Sequence, residues 1–171
     1  MRFVVDPDAS VVEIEARSTL HPIHGRASGL AGSLDLLEGD HGWSIATGER
    51  SWLSVPVERL TSGNPLEDGE LRRRIDSDRY PDITGIVTQA VGAAGGTVQV
   101  TGDLTFHGIT RSVTGELHLA VADGTAQISG EQTFDVRDYG VEPPKVLMLK
   151  VHPQVHVRLS MTARHEEVGH A

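Results

Sequence analysis

Residues 98–122 constrain the fold more than any other segment, because they have the pattern of two long strands joined by a tight turn at His107-Gly108. From Val98 to Phe106, apolar and polar side chains alternate, which gives a pleated strand one apolar and one polar face. Gly108 can adopt the positive φ that a tight reversal requires. An antiparallel hairpin of this kind must bury its apolar face, either by closing into a barrel or by packing on a second sheet.

The same two-residue period recurs along most of the chain and predicts an all-β fold. Further strands are expected at residues 3–5, 12–17, 25–37, 43–45, 53–57, 83–87, 126–136 and 147–163. Glycines within the segment 25–37 indicate bends or bulges, where a sheet curls toward closure. Strands with this even spacing, separated by turn residues, predict an antiparallel barrel or sandwich.

One segment departs from this period and predicts a single helix at about residues 65–76. Asn64 is a suitable N-cap, and Pro65 suits the first helical position. Leu71 and Ile75 are four residues apart and therefore share one face of the helix. Strand signals resume after this segment, so the helix is an insertion between two groups of strands.

Length, charge and cysteine content restrict the functions that the chain can have. Its 171 residues suffice for a single domain with a sizeable core, and residues 164–171 are expected to form a frayed tail. A formal net charge of −9 disfavours nucleic-acid binding, because an acidic chain releases few counterions from phosphates. The absence of cysteine excludes disulfides, thiolate metal sites and cysteine nucleophiles. No membrane-spanning apolar run or leader is recognisable, so we expect a cytoplasmic protein.

Four motifs, in matching order along the chain, resemble the YceI-like family of lipocalin-shaped barrels. The most specific is the hairpin sequence from Val100 to Thr110. It resembles the family's hairpin motif in the spacing of its two glycines and of the Leu-Thr pair between them. The other three are Tyr80-Pro81-Asp82-Ile83 after the helix, the early His21 and Gly25 with the segment 29–34, and the corner at 136–140. Together these motifs cover nearly the whole chain.

The resemblance implies an antiparallel lipocalin-like barrel of about eight strands, with the helix near one barrel end. It also implies an elongated apolar interior that binds a long-chain amphiphile, such as a polyprenyl compound, an isoprenoid quinone or a fatty-acid derivative. The expected function is therefore that of a non-enzymatic carrier of a lipid-like small molecule, without a cofactor. The sequence has no Gly-x-Ser-x-Gly elbow and no phosphate-binding loop, as expected for a carrier.

The expected ligand-binding residues are apolar side chains of inward parity, two indoles and one amide. Trp43 and Trp52 either close the cavity or pack as ordinary core or rim residues. Gln132 shares the parity of Ile128 and Phe134, so it is expected to face the interior, in a polar network or against a ligand head group. The complete expected set is Leu34, Trp43, Trp52, Leu53, Leu104, Phe106, Gln132 and Phe134.

Two other functions remain open from the sequence. His21, His24 and His107 would ligate a divalent metal ion if they met at one barrel mouth, which predicts a small metalloprotein or enzyme. A strand would point His21 and His24 to opposite faces, although Pro22 can turn the chain there. A barrel filled by its own side chains would instead serve as a protein-interaction module, and the sequence also leaves open a homodimer.

Overall fold

The computed structural model describes residues 1–143, 145–146 and 149–167, which form an all-β protein with one α-helix. Within this part of the chain, the helix α1 spans Pro65–Arg74 and the strands number twelve. The strands are β1 (Arg2–Val5), β2 (Val11–Ser18), β3 (Ile23–Ala27), β4 (Ala31–Gly39), β5 (Gly42–Ile45), β6 (Trp52–Pro56), β7 (Asp82–Gly92), β8 (Thr97–Phe106), β9 (Ile109–Ala122), β10 (Thr125–Asp135), β11 (Lys145–Val146) and β12 (Leu149–His165).

Eight of these strands form a closed antiparallel barrel. Their order around the barrel is β1, β4, β6, β7, β8, β9, β10 and β12, and β12 pairs with β1 to complete the circuit. The closing contact aligns Phe3 with His165 and Val5 with Ala163. β2 and β3 extend beside β12, whereas β5 and β11 pair with β4 and β12. The architecture confirms the barrel of about eight strands that the family resemblance implied.

The hairpin with the strongest sequence pattern is present as β8 and β9. Phe106 pairs with Ile109, and the two turn residues His107 and Gly108 have φ values of 54° and 73°. Positive φ at both central positions is typical of a two-residue turn whose twist follows that of its strands. The predicted position of the reversal is therefore confirmed.

The structure refines one expected segment and corrects one expected boundary. The segment 25–37, in which the sequence indicated a break at the glycines, forms two strands, β3 and β4, because the chain turns at Gly29, whose φ is 72°. β12 continues through Arg164 and His165, which were expected to belong to a frayed tail, because both residues pair with neighbouring strands. The expected strand start at Leu147 and the tail residues 168–171 lie outside the described residues.

The helix begins where the sequence predicts and covers one end of the barrel. The Asn64 Oδ1 atom accepts a hydrogen bond from the Leu66 N–H at 3.0 Å, as an N-cap does. α1 ends at Arg74, slightly before the expected end, and Ile75 caps it and is buried against Val57. None of the helices in the described segments is long and apolar enough to cross a membrane.

The opposite end of the barrel is filled by its own side chains. Phe3, Leu36, Val98 and Ile128 come from four different strands, and none is more than 1% exposed. All four belong to one continuous apolar cluster. Burial of a large apolar side chain contributes about 1.5–3 kcal/mol, so this cluster is the main hydrophobic support of the closed barrel.

Replacement of Phe3 by alanine is expected to lower the free energy of unfolding by about 3–5 kcal/mol, because it leaves a hole in the filled end of the barrel. Val4→Ala on the same strand is the matched control, since Val4 is 40% exposed and its expected effect is below about 1 kcal/mol. Urea denaturation followed by circular dichroism measures both values. Equal losses in the two variants would contradict the core position of Phe3.

Candidate functional site

A cavity of about 460 Å³ lies inside the barrel, between the filled end and the helix. Its wall combines inward side chains of the barrel strands with one face of α1. Small-molecule sites typically have volumes of about 300–1,000 Å³, and this cavity falls within that range. The barrel interior is therefore open, a point that the sequence left undecided.

Glycines at inward positions explain why the middle of the barrel is open. Gly85, Gly102, Gly115 and Gly130 all line the cavity at inward positions. At Gly102 and Gly130 a Cβ would lie 2.9 Å from the Ile86 carbonyl oxygen and 2.6 Å from Leu117 Cδ2, so these two glycines permit close approach of their neighbours, whereas Gly85 and Gly115 leave open space. A Cβ atom built at Gly85 would approach only Leu104 Cδ1, at 3.9 Å, so this position has room for a side chain. Large side chains at the ends and glycines between them produce a tube that is filled at its ends and open at its centre.

The cavity wall carries no lysine or arginine among the described residues. The carboxylates that α1 brings to this wall are Glu67 and Asp68. The other acidic residues that border the cavity lie beside inward glycines, so strand alternation points their side chains outward: Asp103, Glu116 and Glu131. An anionic group inside the cavity would lose its hydration without gaining a cationic partner, which costs several kcal/mol. The wall therefore favours an uncharged guest.

Asp68 is a buried carboxylate in this wall, on α1. Its oxygens accept hydrogen bonds from the Thr61 hydroxyl at 2.9 Å, the Ser62 N–H at 2.8 Å and the Ser62 hydroxyl at 2.7 Å. Burial raises the pKa of Asp68, but these hydrogen bonds outweigh that effect and hold the pKa below its usual 3.8. The carboxylate is therefore ionised at neutral pH and ties the helix to the loop that precedes it.

Most of the expected ligand-binding residues lie on the cavity wall. Leu53 and Leu104 lie on either side of Gly85 in the paired register, so they form one continuous patch. Gln132 is the cross-strand neighbour of Val157, another wall residue. The structure brings together Leu34, Leu53, Leu104, Phe106, Gln132 and Phe134 on this surface.

The structure decides between the two alternatives that the sequence left open for the tryptophans, and it favours core or rim packing for both. Trp43 on β5 packs against the apolar cluster at the filled end and is not among the residues that line the cavity. Trp52 lies in the barrel wall, but Leu53 takes the inward position beside it. Strand alternation therefore places the Trp52 ring on the outer surface, where it is 37% exposed opposite Ile86.

The three candidate metal ligands lie on different elements. His21 is exposed in the turn before β3, with its Nδ1 atom 2.9 Å from the Pro22 carbonyl oxygen. His24 lies on the exposed face of β3, and the His107 Nδ1 atom lies 3.0 Å from the Tyr139 carbonyl oxygen. Among the described residues, no three histidine, aspartate or glutamate side chains are grouped to hold a metal ion. No observation therefore favours the metalloprotein hypothesis.

Sequence reasoning missed two contributions to the wall. Asp68, Leu71 and Ile75 face the cavity from α1. The four-residue spacing of Leu71 and Ile75 identified their shared face, and Asp68 lies one turn earlier on it. Strand alternation could also have identified the inward glycines from the sequence. Gly85, for example, shares the parity of Ile83, which also lines the cavity.

Residues 3–163 match the YceI-like domain, and the chain therefore belongs to the YceI-like family. Similar curated proteins include the UPF0312 proteins of Pseudomonas putida and Pseudomonas fluorescens, which are 28% identical to this chain over 123 and 117 residues. These regions cover 66% and 63% of this chain, and 64% and 61% of the relatives. The chain thus spans slightly less than two thirds of the length of these relatives.

Solved structures share the fold at low sequence identity. BcnA of Burkholderia cenocepacia has a TM-score of 0.77 and 17% identity, covering 92% of this chain and 98% of its own. A polyisoprenoid binding domain from Saccharophagus degradans has a TM-score of 0.73 and 14% identity, covering 96% and 98%. At these identities, the similarity establishes the barrel fold and leaves the ligand to be argued from this chain's own residues.

Asp68→Asn is expected to lower the free energy of unfolding at about pH 7 by about 1–3 kcal/mol, because the amide replaces an ionised acceptor of three hydrogen bonds. A lowered folded-state pKa stabilises the protein above the unfolded pKa and loses that effect as the pH falls through the folded pKa. The difference between wild type and variant should therefore shrink below about pH 4.

Urea denaturation of both proteins across this pH range measures the difference. Asp78→Asn is the matched control, because Asp78 is exposed. A difference that stays constant down to about pH 3 would contradict an ionised Asp68 in the folded protein.

Proposed function

We propose that this protein is a non-enzymatic carrier that binds a long-chain neutral amphiphile, such as an isoprenoid alcohol or quinone, inside its barrel. The observation that carries the proposal is the cavity of about 460 Å³, whose described wall is mostly apolar and has no cationic side chain. An apolar chain gains free energy when it leaves water for such a wall. Binding and release of a guest need no reaction at the wall.

Burial of the guest's hydrocarbon chain supplies enough free energy for useful affinity. A chain of about ten methylene groups contributes roughly 8 kcal/mol, at about 0.8 kcal/mol per group. Association costs offset part of this gain, since the guest loses its freedom of translation and rotation. The remainder is compatible with micromolar binding.

The charges of the wall support a neutral head group. Asp68 is ionised, and Glu67 lies on the same wall without a lysine or arginine in its described part. A fatty-acid carboxylate or a prenyl phosphate would meet negative charge there and lose its hydration. An alcohol or a quinone avoids both costs and still forms hydrogen bonds.

The carboxylates with hydrogen-bond partners support a carrier rather than an enzyme. Asp68 accepts three hydrogen bonds, and the Glu131 carboxylate lies 2.9 Å from the His156 Nε2 atom. Hydrogen bonding and the charge of His156 hold the pKa of Glu131 below its usual value. A carboxylate of low pKa that is already engaged is a weak general base at neutral pH.

The similar structure from Saccharophagus degradans is named as a polyisoprenoid binding domain. We extend that class of ligand to this chain because both share the barrel, and because the cavity of this chain is mostly apolar in its own right. The two lines of support are independent, since one concerns a relative and the other concerns the wall residues.

Gly85→Phe is expected to weaken binding of all-trans-retinol, a fluorescent isoprenoid alcohol, by at least about tenfold. The added ring enters the cavity, because a Cβ at Gly85 approaches only Leu104. Gln99→Phe is the matched control, since Gln99 is exposed on the neighbouring strand and does not line the cavity. Fluorescence titration measures both dissociation constants, and equal affinities in the two variants would place retinol outside the barrel.

Retinoic acid is expected to bind at least about tenfold more weakly than retinol at about pH 7.5, although the two molecules have the same carbon skeleton. The carboxylate would be buried without a cationic partner. Displacement of retinol fluorescence by increasing retinoic acid measures the ratio. A preference for the acid would contradict the neutral-head proposal while leaving the carrier function intact.

A further inference from the structure

β9 and β10 separate toward the helix end of the barrel. Their paired register ends at Gly130 opposite Leu117, although β9 begins at Ile109 and β10 continues to Asp135. On their other sides, β9 stays paired with β8 and β10 with β12 along these same segments. About five residues of each strand therefore face one another without a backbone ladder, over roughly 17 Å at about 3.4 Å per residue.

This gap has closed borders at both of its ends. At the helix end, Arg111 Nε donates a hydrogen bond to the Asp138 carbonyl oxygen at 3.0 Å and joins β9 to the turn after β10. At the other end, the strands approach so closely that a Cβ at Gly130 would lie 2.6 Å from Leu117 Cδ2. We call the opening framed by residues 111–116, 131–135 and 136–139 the lateral window.

The lateral window opens into the cavity. Val113 and Gly115 on one edge, and Gln132 and Phe134 on the other, all line the cavity. Gln132 has inward parity and yet is exposed, as a side chain beside an opening would be. Its Nε2 atom donates to the Thr114 carbonyl oxygen at 3.5 Å, so a long side-chain hydrogen bond spans the gap in place of the ladder.

The sequence explains why strand pairing stops at this point. Continuation of the register beyond Gly130 and Leu117 would place Glu131 directly opposite Glu116. Like charges directly opposite one another destabilise an antiparallel pair. Glu131 instead contacts His156 on β12, at 2.9 Å. The two carboxylates therefore favour separated edges, so the opening is encoded in the chain.

We propose that the lateral window is the route by which the ligand enters and leaves the cavity, and that the ligand's polar head rests there. This inference rests on the proposed carrier function and adds the position of its head-group site. The Gln132 amide and the peptide groups of the two unladdered edges are uncharged donors and acceptors, which match an alcohol or a quinone carbonyl. The apolar chain then extends past Leu104 toward the filled end.

Within the described residues, packed side chains cover both ends of the barrel. Phe3 and Leu36 fill one end, and Ile75 packs against Val57 where the helix covers the other. Passage through either end would require these buried groups to move. Among the described residues, only the long hydrogen bond from Gln132 to Thr114 crosses the lateral window. Passage there requires fewer packed groups to move than passage through either end of the barrel.

Chemical bridging of the lateral window tests the route, because the natural chain has no cysteine and only engineered thiols react. Thr114→Cys combined with Thr133→Cys places one thiol on each edge, at positions that do not line the cavity. A short bis-maleimide with an internal disulfide then joins them in the folded protein. The matched control bridges Ala120→Cys and Gln127→Cys, which lie opposite each other where the same strands are paired.

Stopped-flow fluorescence with all-trans-retinol measures uptake and release. Bridging the lateral window is expected to slow both uptake and release by at least about tenfold, because the linker crosses the route that both steps use. The control bridge is expected to leave both rates unchanged. Reductive cleavage of the linker should restore the rates of the window variant.

Three outcomes would overturn the inference. Unchanged rates in the bridged window variant would exclude the route while leaving the carrier function in place. Slowing only by a bridge between Arg74→Cys and Glu142→Cys, whose native side chains are joined by a 3.2 Å ion pair, would move the route to the helix end. Absence of retinol binding by the unmodified protein would overturn the proposed function and this inference together.

Discussion

Pairing between the first and last strands is the interaction on which the rest of this structure depends. Phe3 lies opposite Leu34 on one side and opposite His165 on the other, so β1 joins β4 to β12. Without that junction, the sheet would have two free edges and no enclosed interior. Closure makes every inward side chain part of one lumen, and it turns the period-two pattern of each strand into a common wall.

Residue size along the inward positions then decides what the lumen contains. Phe3, Leu36 and Ile128 fill one end, whereas glycines such as Gly85 and Gly115 leave the centre open. Asp68 holds the helix side in place through hydrogen bonds to Thr61 and Ser62, so the same residues shape the cavity and set its charge. The lumen is open and apolar, and its described wall has no lysine or arginine. These properties suit a neutral guest with a long hydrocarbon chain.

Much of this architecture was predictable from short-range patterns. The reversal at His107 and Gly108, the N-cap at Asn64 and the inward parity of Gln132 follow from turn chemistry, helix capping and strand alternation, which act over a few residues. Trp52 shows the limit of this approach. Its aromatic ring suggested a cavity residue, yet its position beside Leu53 makes it outward, because parity decides the face and residue type does not.

The sequence by itself determined the local elements, the two faces of each strand and the family to which the motifs are similar, because those properties depend on neighbouring residues. Only the tertiary structure decided that the lumen is open, that His21, His24 and His107 stay apart, and that β9 and β10 separate beyond Gly130. These features arise from strand order and register across the closed barrel. They join residues far apart in the chain, and a linear pattern does not record such distances.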